Sequence, residues 1–401
     1  MSFVPIEYSN AKSFIAETKD RLEDAFLYEK GFCYDSGGVD STTCAKLVFS
    51  AVDESDFTNI IFDHGGMRKD EPKNVLFNLN KDCRIPTIFR DYSEFFLRRV
   101  MRAGVDADKK RDYGISGSYF PLAIKDAEKL DASYFVQGTI GPDVIETVDS
   151  KLKRQHNVIL EKQRRMFEKA GVEVVEPLRY LTKDQVREVA RRLKLPMSVT
   201  ERKPFPVPGL YCRRVSQVTR ESMDALREAD SIVMKDLETC TAKVAKEDYQ
   251  CLCALMDNET IETNIGKGYG FKVEGRSTIT NDKVTGTVNN KRTYTNMLLI
   301  DAPNAEIPEL IDASKEIVKD NLNKGVGRVA VRLGGNAFGK GEYNLFLRSI
   351  LTKDFKTADV APIKRSELEK ISDNLMIKGP ESTSSIYYDV TPKPPATIEF
   401  E

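Results

Sequence analysis

The first two hundred residues constrain the fold most, because short apolar runs alternate there with longer, helix-patterned stretches. Residues 31–35 (GFCYD), 59–63 (NIIFD), 86–91 (PTIFRD), 133–138 (SYFVQG) and 173–177 (EVVEP) are too short for helices and lack a regular polar face. They read as strands buried on both sides, as in a parallel sheet. Between them, residues 40–52, 92–103, 116–130 and 182–195 carry helical patterns. Thr182 is placed as an N-cap of the last, and Pro196 stands just beyond its end. Strand–helix alternation of this kind predicts an α/β fold with a doubly wound parallel sheet. Ligands then sit at the carboxyl ends of the strands, which says where motifs matter.

The second half reads differently. A proline-rich stretch, 203–210 (KPFPVPGL), precedes a helical pattern over 221–255. Glycine- and threonine-rich segments at 268–280 and 286–300 then alternate as hairpin strands do. The segment SSIYYDVTPKPPATIEF (384–400) supplies a strand followed by a proline-stiffened tail. A boundary is therefore expected between 1–202 and an α+β region, 203–401.

Composition excludes several classes. The formal charge of −1 gives no global field for nucleic acid or an anionic membrane. No run approaches the length of a membrane span, and the opening MSFVPIEYSNAK lacks the regions of a signal peptide. Seven irregularly spaced cysteines, including the Cys251–Cys253 pair, suggest core thiols rather than disulfides or zinc. A reducing, cytoplasmic setting is expected.

The chemistry concentrates where the first strand ends. GFCYD runs into Ser36-Gly37-Gly38-Val39-Asp40-Ser41-Thr42, and a helix opens at once. Paired glycines permit a sharp turn and close backbone approach. Hydroxyls and free N–H groups at a helix start suit a phosphate or pyrophosphate. Asp40 would repel phosphate unless a cation lay between, so Asp40 is expected to hold Mg²⁺. The bland alternative is a serine-capped strand–turn–helix junction. His64 follows a strand end and His156 lies in a polar loop, and these are the only two histidines. Isolated histidines are more often structural, but both fall in loops where a site is expected.

The SGGVDST string resembles the PP-loop of ATP-pyrophosphatases, which implies an adenine nucleotide alpha hydrolase-like fold. Further segments resemble the GMP synthetase family: Phe62-Asp63-His64-Gly65 with Arg68-Lys69, Gln137-Gly138-Thr139 through Pro142-Asp143-Val144-Ile145-Glu146, and Glu176-Pro177-Leu178-Arg179 with Lys183-Asp184-Gln185-Val186-Arg187. Arg202 with 204–210 and the closing Lys393-Pro394-Pro395-Ala396-Thr397-Ile398-Glu399-Phe400-Glu401 extend it, so that it spans about 1–255 and 340–401. The resemblance implies adenylation of XMP by ATP, then displacement of AMP by ammonia. It assigns ATP and Mg²⁺ to Ser36, Gly37, Gly38, Val39, Asp40, Ser41, Thr42, His64 and Gly138. Asp143, Glu146, Lys153 and His156 would be catalytic. Arg202, Gln250, Lys393, Ile398 and Glu399 would hold the acceptor nucleotide, with Arg348 a nearby cation. A C-terminal dimerisation domain and a homodimer are implied as well.

Departures from the family pattern set two readings side by side. Gln155 replaces a lid histidine, the lid's glycines are gone, Val207 stands for a glycine, and Ser385 stands where an arginine approaches the acceptor phosphate. No glutaminase precedes the loop, so ammonia is expected free or from a separate subunit. Residues 258–340 look like an insertion whose acidic and basic side chains nearly balance, although Lys291-Arg292-Thr293-Tyr294 within them equally fits a G-R-T-Y element of the family. The first reading is a glutaminase-free GMP synthetase. The second is a paralogue that adenylates a different purine or nucleoside-like acceptor, and a regulatory protein with a decayed site is a third.

Overall fold

A computed structural model describes residues 3–149, 159, 161–203, 205–275, 277–288, 291–335, 341–353 and 356–401, with only the backbone for 146–149. The chain divides into two compact units, Met1–Arg99 with Asp112–Val207, and Val100–Arg111 with Pro208–Glu401.

The first unit is the expected doubly wound sheet. Strands β1 (Gly31–Tyr34), β2 (Phe57–Asp63), β3 (Thr87–Asp91), β4 (Tyr134–Val136) and β5 (Glu173–Val175) run in the order β3-β2-β1-β4-β5. All four pairings are parallel. Every residue of β1 is buried, because helices cover both faces. Cys33 joins one apolar cluster with Ile61 and Val136, while Phe32 and Tyr34 join the other with Ile60 and Phe135. This period-2 division between two cores explains a strand with no polar face.

Helices α1 (Ala11–Ala25), α2 (Val39–Phe49), α3 (Glu71–Lys81), α4 (Ser93–Ala103), α6 (Gly117–Leu130), α7 (Gly141–Asp149), α8 (Glu161–Lys169), α9 (Lys183–Arg192) and the short α10 (Met197–Thr200) complete the first half of the chain, with the single turn α5 (Ala107–Lys109) in the segment given to the second unit. Thr182 caps α9 as expected, in a reciprocal box with Gln185: the Gln185 N–H donates to the Thr182 hydroxyl at 3.4 Å and the Thr182 N–H to the Gln185 amide oxygen at 2.8 Å.

The second unit is a mixed sheet with helices. After α11 (Arg220–Val244) come β6 (Tyr249–Asp257), β7 (Thr260–Thr263), β8 (Ser277–Val288), β9 (Lys291–Ile300), α12 (Ile307–Asn321), β10 (Val326–Gly335), β11 (Tyr343–Leu351), β12 (Asp359–Val360), α13 (Arg365–Lys378) and β13 (Thr383–Asp389). The strand order is β12-β11-β13-β10-β9-β8-β7, with β6 pairing β11. Two expectations are corrected here. The helix expected over 221–255 stops at Val244, because Cys251–Met256 is buried on both faces and pairs antiparallel with β11. The apparent insertion, 258–340, supplies β8, β9 and β10 in the middle of the sheet, where Val284, Met297, Leu299 and Ala330 share a core with Phe346 and Phe400. The segment before β8 that is patterned as strand, 268–274, is irregular.

Candidate functional site

The order in which strands are added to the first unit's sheet reverses between β1 and β4: the chain steps outward through β2 and β3 on one side and β5 on the other. Loops on either side of such a switch point diverge and leave a crevice at the strand ends. The segment Ser36–Thr42 leaves β1 there, and Gln137–Gly138 leaves β4.

The loop is folded around a buried carboxylate that sequence reasoning missed. Asp35 Oδ1 accepts from the Gly37 N–H (2.8 Å), the Ser41 hydroxyl (2.9 Å) and the Thr42 hydroxyl (2.9 Å), and Oδ2 from the Asn59 amide (3.4 Å). Burial pushes its pKa up, against the pull of these four donors. The signal was visible as an acid closing an apolar run just before a hydroxyl-rich turn. Three donors on one oxygen fix the turn before any ligand arrives. Gly37 adopts φ 72°, and a Cβ there would lie 2.6 Å from both the Arg202 guanidinium and Val75. Only glycine fits.

This arrangement sorts the loop residues. Ser36, Gly38, Asp40 and Ser41 reach the surface, whereas Gly37, Val39 and Thr42 lie beneath it. The Thr42 side chain, expected at the ligand, is wholly buried and its hydroxyl donates to Asp35. Gly138 approaches from β4 so closely that a Cβ would sit 2.9 Å from the backbone of Asp40 and Ser41. Its absent side chain serves helix–strand packing at the mouth of the loop.

Three helix starts converge at this end of the sheet. The Lys183 ammonium, in the first turn of α9, pairs with Asp40 in the first turn of α2 at 2.9 and 2.7 Å. A cation beside Asp40 was expected as a metal, and the chain supplies one itself. The Gly141 N–H, opening α7, donates to the Leu181 carbonyl at 2.9 Å just ahead of α9. Asp143 folds back to accept from the Ile140 N–H at 3.2 Å. For Glu146 only the backbone is described, and Lys153, Gln155 and His156 lie outside the described residues. His64 sits just past β2, where its Nδ1 accepts from the Gly66 N–H at 3.1 Å and its ring stands edge-on to Phe62 and Phe96.

Arg202, expected at the acceptor, is tied to this loop. Its guanidinium donates to the Ser36 carbonyl at 3.0 Å and to Glu71 at 2.5 Å, and Glu71 in turn accepts from the Arg68 N–H at 3.0 Å. It clamps the outer side of the turn that Asp35 holds from within.

The other predicted residues gather in the second unit around the closing segment, 391–401. The Arg213 guanidinium, fully buried, holds Glu399 through two bonds of 2.9 and 3.0 Å, and the Gln250 amide reaches the same carboxylate at 3.4 Å. Burial alone would lower the Arg213 pKa, but Glu399 and Asp230 raise it overall. Ile398 packs against the core cluster. Lys393 is tied through its backbone to Ala358, at 2.8 and 3.0 Å.

Arg348, expected as a nearby cation for the acceptor, braces the second unit from within. It is wholly buried, pairs with Asp389 at 2.9 Å and donates to the Thr391 and Thr397 carbonyls. Arg328 shares Asp389 at 2.9 Å, reaches the Thr285, Thr397 and Glu399 carbonyls, and lies 4.8 Å from the Phe400 ring centre. Burial, with Arg348 close by, lowers its pKa to about 10. Lys110 pairs with Glu401 beneath the surface at 2.8 Å.

Ser385 lies elsewhere. It opposes Gly335 at the far end of β10, whereas the closing segment lies along β8 at 285–287, level with the start of β9. Strand rise puts these places roughly 30 Å apart along the sheet.

Residues 316–400 match the family model described as the GMP synthase C terminal domain. A subunit of the glutamine-hydrolyzing GMP synthase of Saccharolobus solfataricus is 32% identical over 97% of this chain and 99% of its own length. The corresponding GMP synthase subunit of Methanopyrus kandleri is 32% identical over the same shares. The longer glutamine-hydrolyzing GMP synthase of Caldicellulosiruptor saccharolyticus is 30% identical over 97% of this chain and 61% of its own length. The parallel sheet, the SGGVDST loop at its switch point and these relatives define an enzyme, an ATP-pyrophosphatase acting as a carbon–nitrogen ligase. Within that class, the chain belongs to the GMP synthase family.

Proposed function

We propose that the protein makes GMP from XMP, ATP and ammonia, releasing AMP and pyrophosphate. In this reading, the XMP O2 attacks the α-phosphorus of ATP and expels pyrophosphate. Ammonia then attacks C2 of the adenylated base, the C2–O2 bond breaks, AMP departs carrying O2, and the surplus proton of the new amine passes to solvent. The observation that carries the ATP half is the loop pinned from inside by Asp35 and from outside by Arg202. Donors fixed beforehand need no reorganisation when charge develops on the pyrophosphate. Lys183 stands beside the loop as a cation able to exchange Asp40 for phosphate oxygens.

Mg²⁺ fits on donor chemistry. Among the described residues no three His, Cys, Asp or Glu side chains converge as a metal cage. Magnesium, however, needs only one or two carboxylates when phosphates and water complete its shell. Asp40 is the loop's half-exposed carboxylate and is the residue we assign to it. When bound, the ion would neutralise charge on the departing pyrophosphate.

The acceptor half is assigned to Gln250, Lys393, Ile398 and Glu399 of the second unit, with Asp143, Glu146, Lys153 and His156 retained as catalytic assignments. Relatives of this length are named as one subunit of a glutamine-hydrolyzing enzyme, which supports a separate glutaminase as the source of ammonia. A homodimer is proposed too, on the family resemblance that makes the second unit a dimerisation domain. Sedimentation of a monomer with full turnover would remove that reading. The test of function is product analysis with ATP, Mg²⁺, ammonium and XMP. AMP, pyrophosphate and GMP are expected, and ADP with orthophosphate would sink the assignment.

A further inference from the structure

Asp35 is a buried anion with no cation of the chain beside it. Its carboxylate is 2% exposed, and the partners that hold it are neutral: the Gly37 N–H, the Ser41 and Thr42 hydroxyls and the Asn59 amide. Burial pushes its pKa up and these four donors pull it down, with no positive side chain contributing. The cations nearest the loop are engaged elsewhere, Lys183 with Asp40 and Arg202 with Glu71 and the Ser36 carbonyl. A buried charge is costly unless an opposite charge or a metal completes it.

The surrounding network suits the ionised form. The Thr87 hydroxyl donates to the Ile85 carbonyl at 2.7 Å, so its oxygen accepts from the Asn59 amide at 2.9 Å, and that orientation turns the amide nitrogen to Asp35 Oδ2. The Gly37 N–H takes Oδ1. Each carboxylate oxygen therefore faces a group that can only donate.

The consequence falls on Ser41. A hydroxyl has one proton, and beneath Ser41 lie only acceptors, Asp35 Oδ1 at 2.9 Å and the Gly38 carbonyl at 3.2 Å. The bond to the carboxylate is charge-assisted and is the stronger of the two. With its proton turned inward, Ser41 presents lone pairs outward, and its side chain is only half-buried. The Ser36 hydroxyl, 3.3 Å away, is then the donor of that pair. An oxygen in this state repels phosphate oxygens and attracts a cation, the more so for being polarised by a carboxylate. Thr42 makes the same bond to Asp35 but is wholly buried, so Ser41 alone carries the effect to the surface. A serine or threonine hydroxyl on Mg²⁺ is also how Walker-type phosphate loops hold their ion.

We propose that Ser41 Oγ is a ligand of the nucleotide-bound Mg²⁺ beside Asp40, and that Asp35 is the positioning residue that turns the Ser41 proton inward and supplies counter-charge from beneath. The inference rests on the ATP–Mg²⁺ reading above. It takes Ser41 out of the set of phosphate donors and leaves that work to the N–H groups at the start of α2.

The experiment uses the full chain and an ATP analogue with a methylene group between the α- and β-phosphates, which cannot release pyrophosphate. Electron paramagnetic resonance reads Mn²⁺ affinity of the protein–analogue complex, and calorimetry in EDTA reads affinity for the metal-free analogue. Ser41→Ala is expected to weaken Mn²⁺ binding about ten-fold or more and to leave metal-free binding unchanged. Ser41→Thr keeps the hydroxyl and is expected to restore wild-type values. Ser41→Cys is expected to shift the preference from Mg²⁺ toward the softer Cd²⁺. Asp35→Asn is expected to weaken Mn²⁺ binding roughly ten- to a hundred-fold. It should also strengthen metal-free binding several-fold, because a negative charge beneath the loop is gone, whereas loss of a merely structural carboxylate would weaken both. If Asp35→Asn does not fold, the three substitutions at half-buried Ser41 decide. The inference is overturned if Ser41→Ala weakens metal-free and metal-loaded binding alike, since the hydroxyl is then a phosphate donor. It is equally overturned if Mn²⁺ affinity is unchanged in Ser41→Ala. A wild type that binds no analogue even with Mn²⁺ sinks the ATP reading itself, and the inference with it.

Discussion

The two polar centres of this molecule are built with opposite charge. In the first unit a buried anion, Asp35, gathers N–H and hydroxyl donors around itself and so shapes the loop. In the second unit buried cations, Arg213, Arg328 and Arg348, gather carbonyls and carboxylates and so shape the closing segment. The first arrangement fixes the turn from beneath and leaves Ser36, Gly38 and Ser41 at the surface, where a phosphate can reach them. The second consumes its own positive charge. Arg328 and Arg348 bond backbone carbonyls of the segment they hold, which leaves them little capacity for a ligand. An arginine near a predicted site is therefore no evidence of anion binding until its partners are counted.

The largest expected effects test the anionic centre. Asp40→Asn should abolish pyrophosphate release, by about a thousand-fold or more, if the carboxylate both positions Lys183 and meets the metal. Gly37→Ala should cost on the order of a hundred-fold, since a Cβ would push Arg202 and Val75 away and the turn would shift. Both are read by pyrophosphate release, with urea unfolding of the second unit as the control. Equal loss of stability across the chain would show that the loop matters to folding rather than to chemistry.

The cationic centre should respond in stability before activity. Asp389→Asn leaves Arg328 and Arg348 buried without their shared carboxylate, and removing one partner from such a pair costs about 3–5 kcal/mol. Urea unfolding should reveal this loss, while ATP binding by the first unit persists. If stability is unchanged, the segment's carbonyls suffice and the two centres differ less than their charges suggest. For the same reason, truncation of 392–401 is a poor probe of acceptor binding, because it strips partners from Lys110, Arg213, Arg328 and Arg348 together.

Arg202 sharpens the contrast at a smaller scale. The family pattern puts it at the acceptor, and its guanidinium also clamps the Ser36 carbonyl. Arg202→Met should raise the KM for ATP roughly ten-fold, the worth of one charge-assisted hydrogen bond, with the acceptor KM unchanged. A change confined to the acceptor KM would return the residue to the acceptor.

How much of this was legible in the chain differs between the same two regions. The parallel sheet follows from GFCYD, NIIFD and SYFVQG because burial on both faces leaves a plain composition signal. The loop is legible because its chemistry is local: Ser36 to Thr42 are neighbours in sequence. Asp35 looks like the end of a strand, since its role depends on Ser41, Thr42 and Asn59 folding back onto it. The second unit is harder. Cys251–Met256 carries an apolar run that fits a helix or a strand equally until β11 is there to pair with it. The segment 258–340 looks like an insertion because only Lys291-Arg292-Thr293-Tyr294 within it could match a family element, yet it holds the middle of the sheet. Arg348 stands close in sequence to family motifs, and nothing local could show that Asp389 and two carbonyls would claim it.

The smallest effect concerns the thiols, and it tests whether either centre opens without ligand. All seven cysteines are free and buried. Burial raises the pKa of Cys33 and Cys44 beneath the loop, and of Cys212 and Cys253 in the second unit. For Cys83, burial is the largest cause and the value reaches about 11. A raised thiol pKa means less thiolate at a given pH, so alkylation at pH 8 is slowed by chemistry as well as by access. The native protein should therefore leave all seven unmodified over minutes, and denaturant should release all seven. Cys83 in particular should gain reactivity as the pH climbs toward 11, where the thiolate forms. Mass spectrometry of the labelled chain reads each site separately. Fast labelling of Cys33 or Cys44 in the native state, suppressed by ATP, would mean that the loop is not fixed beforehand and that nucleotide binding does the ordering. Fast labelling of Cys212 would say the same of the closing segment. If neither labels while Cys83 follows its pH curve, both centres are closed before any ligand arrives, and the difference between them is one of charge alone.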